Sequence, residues 1–220
     1  MITLVFGRRE QGKTTLAYHL ALQKETRVIV DPRGQFRTTS DILPDEVGLY
    51  ELLDEREEVI IQPRGNPKEV FARVSSVVED WLRDNPGAQF VFLLDEARIF
   101  DTPSVIPDDF EYLLRMAPRN EVDVILTAHR PSDVSVDIRA IADFWLLFQM
   151  TQEHDLKVIS ERCGEKVAEI AATLPEHSVI VWNDAKGTFR VSHDSEKWKH
   201  DIKNFPRNVK EEGERAWQTA

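Results

Sequence analysis

Six short runs dominated by apolar residues recur along the chain: ITLVF (2–6), RVIVDP (27–32), EVIIQP (58–63), QFVFLLDE (89–96), VDVILTAH (122–129) and DFWLLFQM (143–150). A strand with one wet face alternates apolar and polar side chains, whereas a strand covered on both faces reads as a near-continuous apolar run. Between the runs lie stretches with helical spacing. Over 13–24 Leu16, Leu20 and Ala21 share a face; over 67–85 Val70, Val74, Val77, Val78, Trp81 and Leu82 do so; shorter or later stretches cover 108–117 and 152–172. NPGA (85–88) ends the second of these. Strands alternating with helices predict an α/β fold with a right-handed, mostly parallel central sheet and helices on both faces. SVIVWNDAKGTFRVS (178–192) reads as a C-terminal β-hairpin turning at DAKG. One domain is expected over 1–192, and residues 193–220 form a charged tail expected to be peripheral.

The 220 residues are 41% hydrophobic and 30% charged, enough for a sizeable core in a water-soluble chain. No segment approaches 18 uncharged apolar residues, so no membrane span is expected. MITLVFG lacks a basic leader and reads as a first strand rather than a signal peptide. The single cysteine, Cys163, has no internal partner, which fits a reducing cytoplasm. The formal net charge of −11 argues against a surface coated with positive charge, while leaving room for a narrow basic groove or a basic ring built from several subunits. Arg33, Arg37 and Arg64, on loops, are candidates for such a pore. His154, His177, His193 and His200 lack metal-ligand spacing, so no zinc site is expected.

The first apolar run stops at Gly7, and GRREQGKT (7–14) matches G-x-x-x-x-G-K-[ST] between a strand and a helix. Glycines in such a loop let backbone N–H groups curl around phosphate oxygens, the lysine reaches the terminal phosphates, and the threonine hydroxyl ligates Mg²⁺. The nucleotide cradle is therefore Gly7, Arg8, Arg9, Glu10, Gln11, Gly12, Lys13, Thr14 and Thr15, and the expected ligands are ATP and Mg²⁺. The fourth run ends in Asp95 and Glu96. An aspartate there supports the metal beside Thr14, and the adjacent glutamate can deprotonate an attacking water. Asp-Glu alone also reads as a helix N-cap; together with the phosphate loop it favours hydrolysis over transfer of phosphate to a metabolite.

The block RNEVDVILTAHRPSDV (119–134) resembles the fourth-strand signature of the FtsK/HerA superfamily of P-loop ATPases, and GRREQGKTT, VIVDPRGQF and FVFLLDEARIF match its other landmarks in order. The resemblance spans roughly 1–192. It implies a RecA-like sheet of order 5-1-4-3-2, with the 122–129 strand between the two strands that carry the phosphate site. It places His129 as the sensor of the terminal phosphate, where the family usually has glutamine. It makes Arg119 an arginine finger reaching a neighbouring subunit's nucleotide, with Arg115 as the competitor. The function implied is an ATP-hydrolysing double-stranded DNA translocase. The compact motor favours a viral genome-packaging ATPase in a homo-oligomeric ring, pentamer or hexamer, with a capsid portal or vertex protein as partner, working in the host cytoplasm. A HerA-like helicase or translocase for repair or plasmid transfer, and a phage-assembly ATPase resembling the zonula occludens toxin family, are the alternatives.

Overall fold

The computed structural model describes residues 1–36, 40–100, 108–116 and 122–193, with backbone alone for 108, 109 and 116. In chain order they form β1 (Ile2–Phe6), α1 (Lys13–Ala21), β2 (Thr26–Val30), β3 (Asp41–Leu43), α2 (Leu49–Glu55), β4 (Glu58–Ile61), α3 (Pro67–Asp84) and β5 (Phe90–Leu94). There follow α4 (Asp108–Met116), β6 (Val122–Ala128), α5 (Val136–Ile141), β7 (Phe144–Leu147), α6 (Glu153–Cys163), α7 (Glu165–Thr173), β8 (Val179–Asn183) and β9 (Thr188–Ser192). Short 3₁₀ turns, Ala97–Ile99 and Pro131–Asp133, follow β5 and β6.

The strands make one nine-stranded sheet of order β3-β4-β2-β5-β6-β1-β7-β8-β9. Pairing is parallel from β3 through β7, and β7–β8 and β8–β9 are antiparallel. The five strands expected as 5-1-4-3-2 are β7, β1, β6, β5 and β2, and they stand in that order. The expectation understated the sheet: β4 and β3 extend it beyond β2, and the hairpin extends it beyond β7. β3 and α2 were not legible beforehand. Three residues cannot display a period of two, Ile42 is half exposed, and β3 owes its conformation to the ladder that β4 offers it.

Alternate residues of each central strand feed two different cores. Leu4, Phe6, Phe92, Leu94, Val124 and Leu126 face one side, packed under α2 to α7. Val5, Val91, Leu93 and Ile125 face the other, under Leu16, Ala17, Leu20 and Ala21 of α1. Both faces are dry, which is why the runs carry so little polar character. α3 starts where Asn66 caps it, its side-chain oxygen accepting from Lys68 N–H at 3.1 Å, with Pro67 in the first turn where its missing N–H costs nothing. The stretch read as one helix over 152–172 is two, α6 and α7. Gly164, at φ 95° and ψ 157°, sits in a conformation that side chains avoid and breaks the helix there.

Aromatic rings lock the larger core. Phe71 lies 4.9 Å from Phe110, 5.5 Å from Phe100 and 6.1 Å from Phe92, centroid to centroid, with only 1% of its surface exposed. Trp81, Trp145 and Trp182 are buried, as expected. No helix among the described residues is long and apolar enough to cross a membrane. Truncating Phe71 to alanine removes a ring with three aromatic neighbours, and urea unfolding of Phe71→Ala is expected to show a loss of about 3–5 kcal/mol.

Candidate nucleotide site

The pairing of β6 with β1 and β5 brings the sequence motifs together. Phe6 lies beside Ala128, and Gly7 N–H donates to the Ala128 carbonyl at 3.3 Å. On the other side Leu94 pairs with Leu126. The ends of β1, β6 and β5 therefore present Gly7, His129 and the Asp95–Glu96 pair at one edge of the sheet.

The loop from Gly7 is closed by its own groups. A Cβ on Gly7 would lie 2.6 Å from Phe148 Cβ and 2.8 Å from Gln11 Oε1, so no other residue fits. Arg8 N–H donates to Gln11 Oε1 at 2.8 Å, and Lys13 Nζ donates to the Arg8 carbonyl at 2.9 Å. Glu10 adopts a left-handed conformation, φ 64°. Gln11 and Lys13 are buried, while Arg8, Arg9, Glu10 and Thr15 are exposed. Burial pushes the Lys13 ammonium below its ordinary pKa, and the charges of Glu96 and Asp95 pull it back up.

Asp95 is fully buried. Its Oδ1 accepts from Thr127 Oγ1 at 2.6 Å and from Thr14 Oγ1 at 3.1 Å, and its Oδ2 has no hydrogen-bond partner among the described residues. Burial raises its carboxyl pKa, and the hydroxyl of Thr127 works against that rise. Thr127 also accepts the Glu96 N–H at 3.0 Å, so one hydroxyl holds both acids. Glu96 itself has φ 55°, a strained conformation for a side-chain-bearing residue and one that clusters at functional sites. Its Oε2 lies 3.1 Å from His129 Nε2. His129 Nδ1 is 3.5 Å from Lys13 Nζ, which can only donate, so Nδ1 is assigned as the acceptor; Nε2, close to Glu96, makes no hydrogen bond among the described residues. Burial, and then the Lys13 charge, hold the imidazole below its ordinary pKa, which favours the neutral ring.

These residues fit a magnesium nucleotide. A hard cation takes oxygen ligands, and the Thr14 hydroxyl and the Asp95 carboxylate, one of whose buried oxygens lacks a partner, supply them. Lys13 supplies positive charge at the loop.

The resulting architecture matches solved structures. The genome packaging NTPase B204 from Sulfolobus turreted icosahedral virus 2, in complex with ATP-gammaS, superposes with a TM-score of 0.73 at 17% identity, covering 86% of this chain and 95% of that one. The chain has the RecA-like P-loop ATPase fold. VirB4 of Thermoanaerobacter pseudethanolicus shares it with a TM-score of 0.65 at 10% identity, over 90% of each chain. The pCW3 conjugation coupling protein TcpA, in its monomer form with ATPgS, gives 0.57 at 14% identity over 91% of this chain and 63% of that one. No protein-family model matches the sequence, and no curated protein matches it.

Within this P-loop fold, Lys13, Thr14, Asp95, Glu96 and His129 converge. Arg119 and Arg37 lie outside the described residues, as does the tail from 194. Arg115 is exposed and ion-pairs with Glu111 on the same helix. Arg33, read from sequence as a pore candidate, comes to Glu96, its Nη2 3.8 Å from Oε2. Three further residues were missed: Thr127, Gln35, whose Oε1 lies 3.4 Å from Thr14 Oγ1, and His177, whose Nδ1 lies 3.4 Å from the Gln11 carbonyl. Thr127 carried a faint signal, a lone hydroxyl in an otherwise apolar run; the other two carried none. Thr127→Val leaves a buried carboxylate oxygen and the Glu96 N–H short of a partner. Denaturant unfolding is expected to show a loss of about 1–3 kcal/mol, with Thr127→Ser closer to wild type.

Proposed function

We propose that the chain is an ATP-hydrolysing double-stranded DNA translocase of the viral genome-packaging kind. The observation that carries the hydrolytic part is the placement of Glu96 beside the Lys13–Thr14–Asp95 cluster, on the far side of Thr127. A carboxylate there serves to take a proton from water, a role that transfer of phosphate to a metabolite would not require. The packaging part is supported by the likeness in fold to the B204 packaging NTPase over nearly the whole of both chains.

Lys13 neutralises charge on the terminal phosphates of ATP. Thr14 and Asp95 would hold Mg²⁺, which when bound would screen the charge of the phosphate oxygens. Glu96 accepts the proton of the attacking water. His129 is the group placed to report the state of the terminal phosphate to β6. Arg119 of a neighbouring subunit in a ring, pentameric or hexameric, supplies the remaining positive charge, which in trans commonly contributes a factor of ~10³–10⁵. Grip on DNA is electrostatic and reads the backbone rather than the sequence. A capsid portal or vertex protein is the partner this role calls for, and the host cytoplasm its place.

Glu96→Gln is expected to keep ATP affinity within about twofold while turnover falls at least about tenfold; unchanged turnover removes Glu96 as the base. Wild-type ATPase is expected to rise on addition of double-stranded DNA, with assembly in the presence of nucleotide seen by native mass measurement. A monomer whose turnover ignores DNA would sink the motor reading.

A further inference from the structure

One basic residue reaches the catalytic carboxylate from outside the phosphate loop. Arg33 lies in the turn DPRGQF (31–36) after β2, and its Nη2 is 3.8 Å from Glu96 Oε2. His129 Nε2 addresses that same oxygen at 3.1 Å. Both basic groups therefore lie close to Oε2.

The turn that delivers Arg33 is held from beneath. Asp31 has no exposed surface; its carboxylate accepts Arg33 N–H at 3.2 Å, Phe36 N–H at 3.0 Å and the Gln62 amide at 3.4 Å. Gly34, at φ 64°, turns the chain between them. The same turn places Gln35 beside the Thr14 hydroxyl. A buried carboxylate thus fixes a short segment whose side chains touch the site at two points. The Arg33 side chain is 38% exposed, and an ion pair that wet contributes little to stability. Its consequence lies in geometry. A glutamate reaches its rotamers freely unless something pins it, and a base acts only when its oxygen faces the proton it takes.

We propose that Arg33 is a positioning residue for Glu96: its charge, beside that of the His129 ring edge, restricts the direction in which the carboxylate faces the water it deprotonates. The inference rests on the ATPase reading above. It assigns Arg33 a role in its own subunit's site, distinct from a finger supplied by a neighbour and from contact with DNA in a pore.

The test is steady-state hydrolysis of Mg·ATP by the full chain, without and with DNA, for wild type, Arg33→Ala, Arg33→Lys, Glu96→Gln and the Arg33→Ala/Glu96→Gln double variant. Arg33→Ala is expected to lower kcat about tenfold, with KM for ATP within about twofold. Arg33→Lys should recover part of the loss. On the Glu96→Gln background, Arg33→Ala should cost nothing further, because two residues acting through one carboxylate are not additive. Because Arg33 is half exposed, its alanine variant should melt with wild type. An active wild type whose kcat ignores Arg33→Ala overturns the inference alone, as does a full additional loss on the Glu96→Gln background. Loss of DNA stimulation with basal turnover intact would overturn it in favour of a pore contact. A wild type that hydrolyses no ATP overturns the ATPase reading and the inference together.

Discussion

The two parallel ladders of β6 are the constraint on which the site depends. One ladder sets Ala128 against Phe6 and so fixes where the phosphate loop begins. The other sets Leu126 against Leu94 and so fixes where the acids emerge. A slip of one residue in either ladder would exchange the two faces of a strand. It would send Phe6 or Leu94 into the wrong core and carry Gly7 or Asp95 away from the edge. The dry packing on both sides of the sheet thus enforces the register, and the register enforces the chemistry. Thr127 marks the meeting point, a hydroxyl on the central strand that ties both acids to their neighbour strand.

Burial acts on three titratable groups at this edge, and in a consistent sense. It disfavours the ammonium of Lys13, the carboxylate of Asp95 and the imidazolium of His129 alike. The charges of Glu96 and Asp95 favour the ammonium of Lys13, whereas the hydroxyls of Thr127 and Thr14 favour the carboxylate of Asp95 and the charge of Glu96 opposes it. His129 lies between the cation of Lys13, which lowers its pKa, and the anion of Glu96, which raises it, and burial is the larger influence, favouring the neutral ring. A magnesium nucleotide would bring charge of both signs into the same low-dielectric edge, where each interaction counts for more than in water.

The central sheet was legible because its strands are dry on both faces: continuous apolar runs identify them without help from tertiary contacts. The phosphate loop was legible because backbone curvature and close approach restrict residue types at Gly7 and Gly12. Asp95 and Glu96 were legible from their position at a strand end, and His129 from the resemblance carried by the block around it. β3 was not, since its order is borrowed from a partner strand, and the break at Gly164 was masked by good helical spacing on either side. The approach of Arg33 to Glu96 was hidden for a related reason. An arginine in a loop advertises charge but not direction, and what directs it is Asp31, a buried carboxylate whose three hydrogen bonds are a property of the folded turn. Thr127 and His177 enter the site through contacts between segments far apart in the chain, and no local spacing encodes those.

The crowding at Gly7 has a consequence for how such a chain can vary. The atom that would collide with a side chain there is the Cβ of Phe148, an atom common to all residues other than glycine. Trimming the Phe148 ring to a methyl would leave the obstruction in place. Positions 7 and 148 cannot therefore trade bulk in the compensating way that most packed pairs can. The narrowness belongs to the course of the main chain where β7 passes the loop, and sequence drift around it is free only in what lies beyond that first carbon.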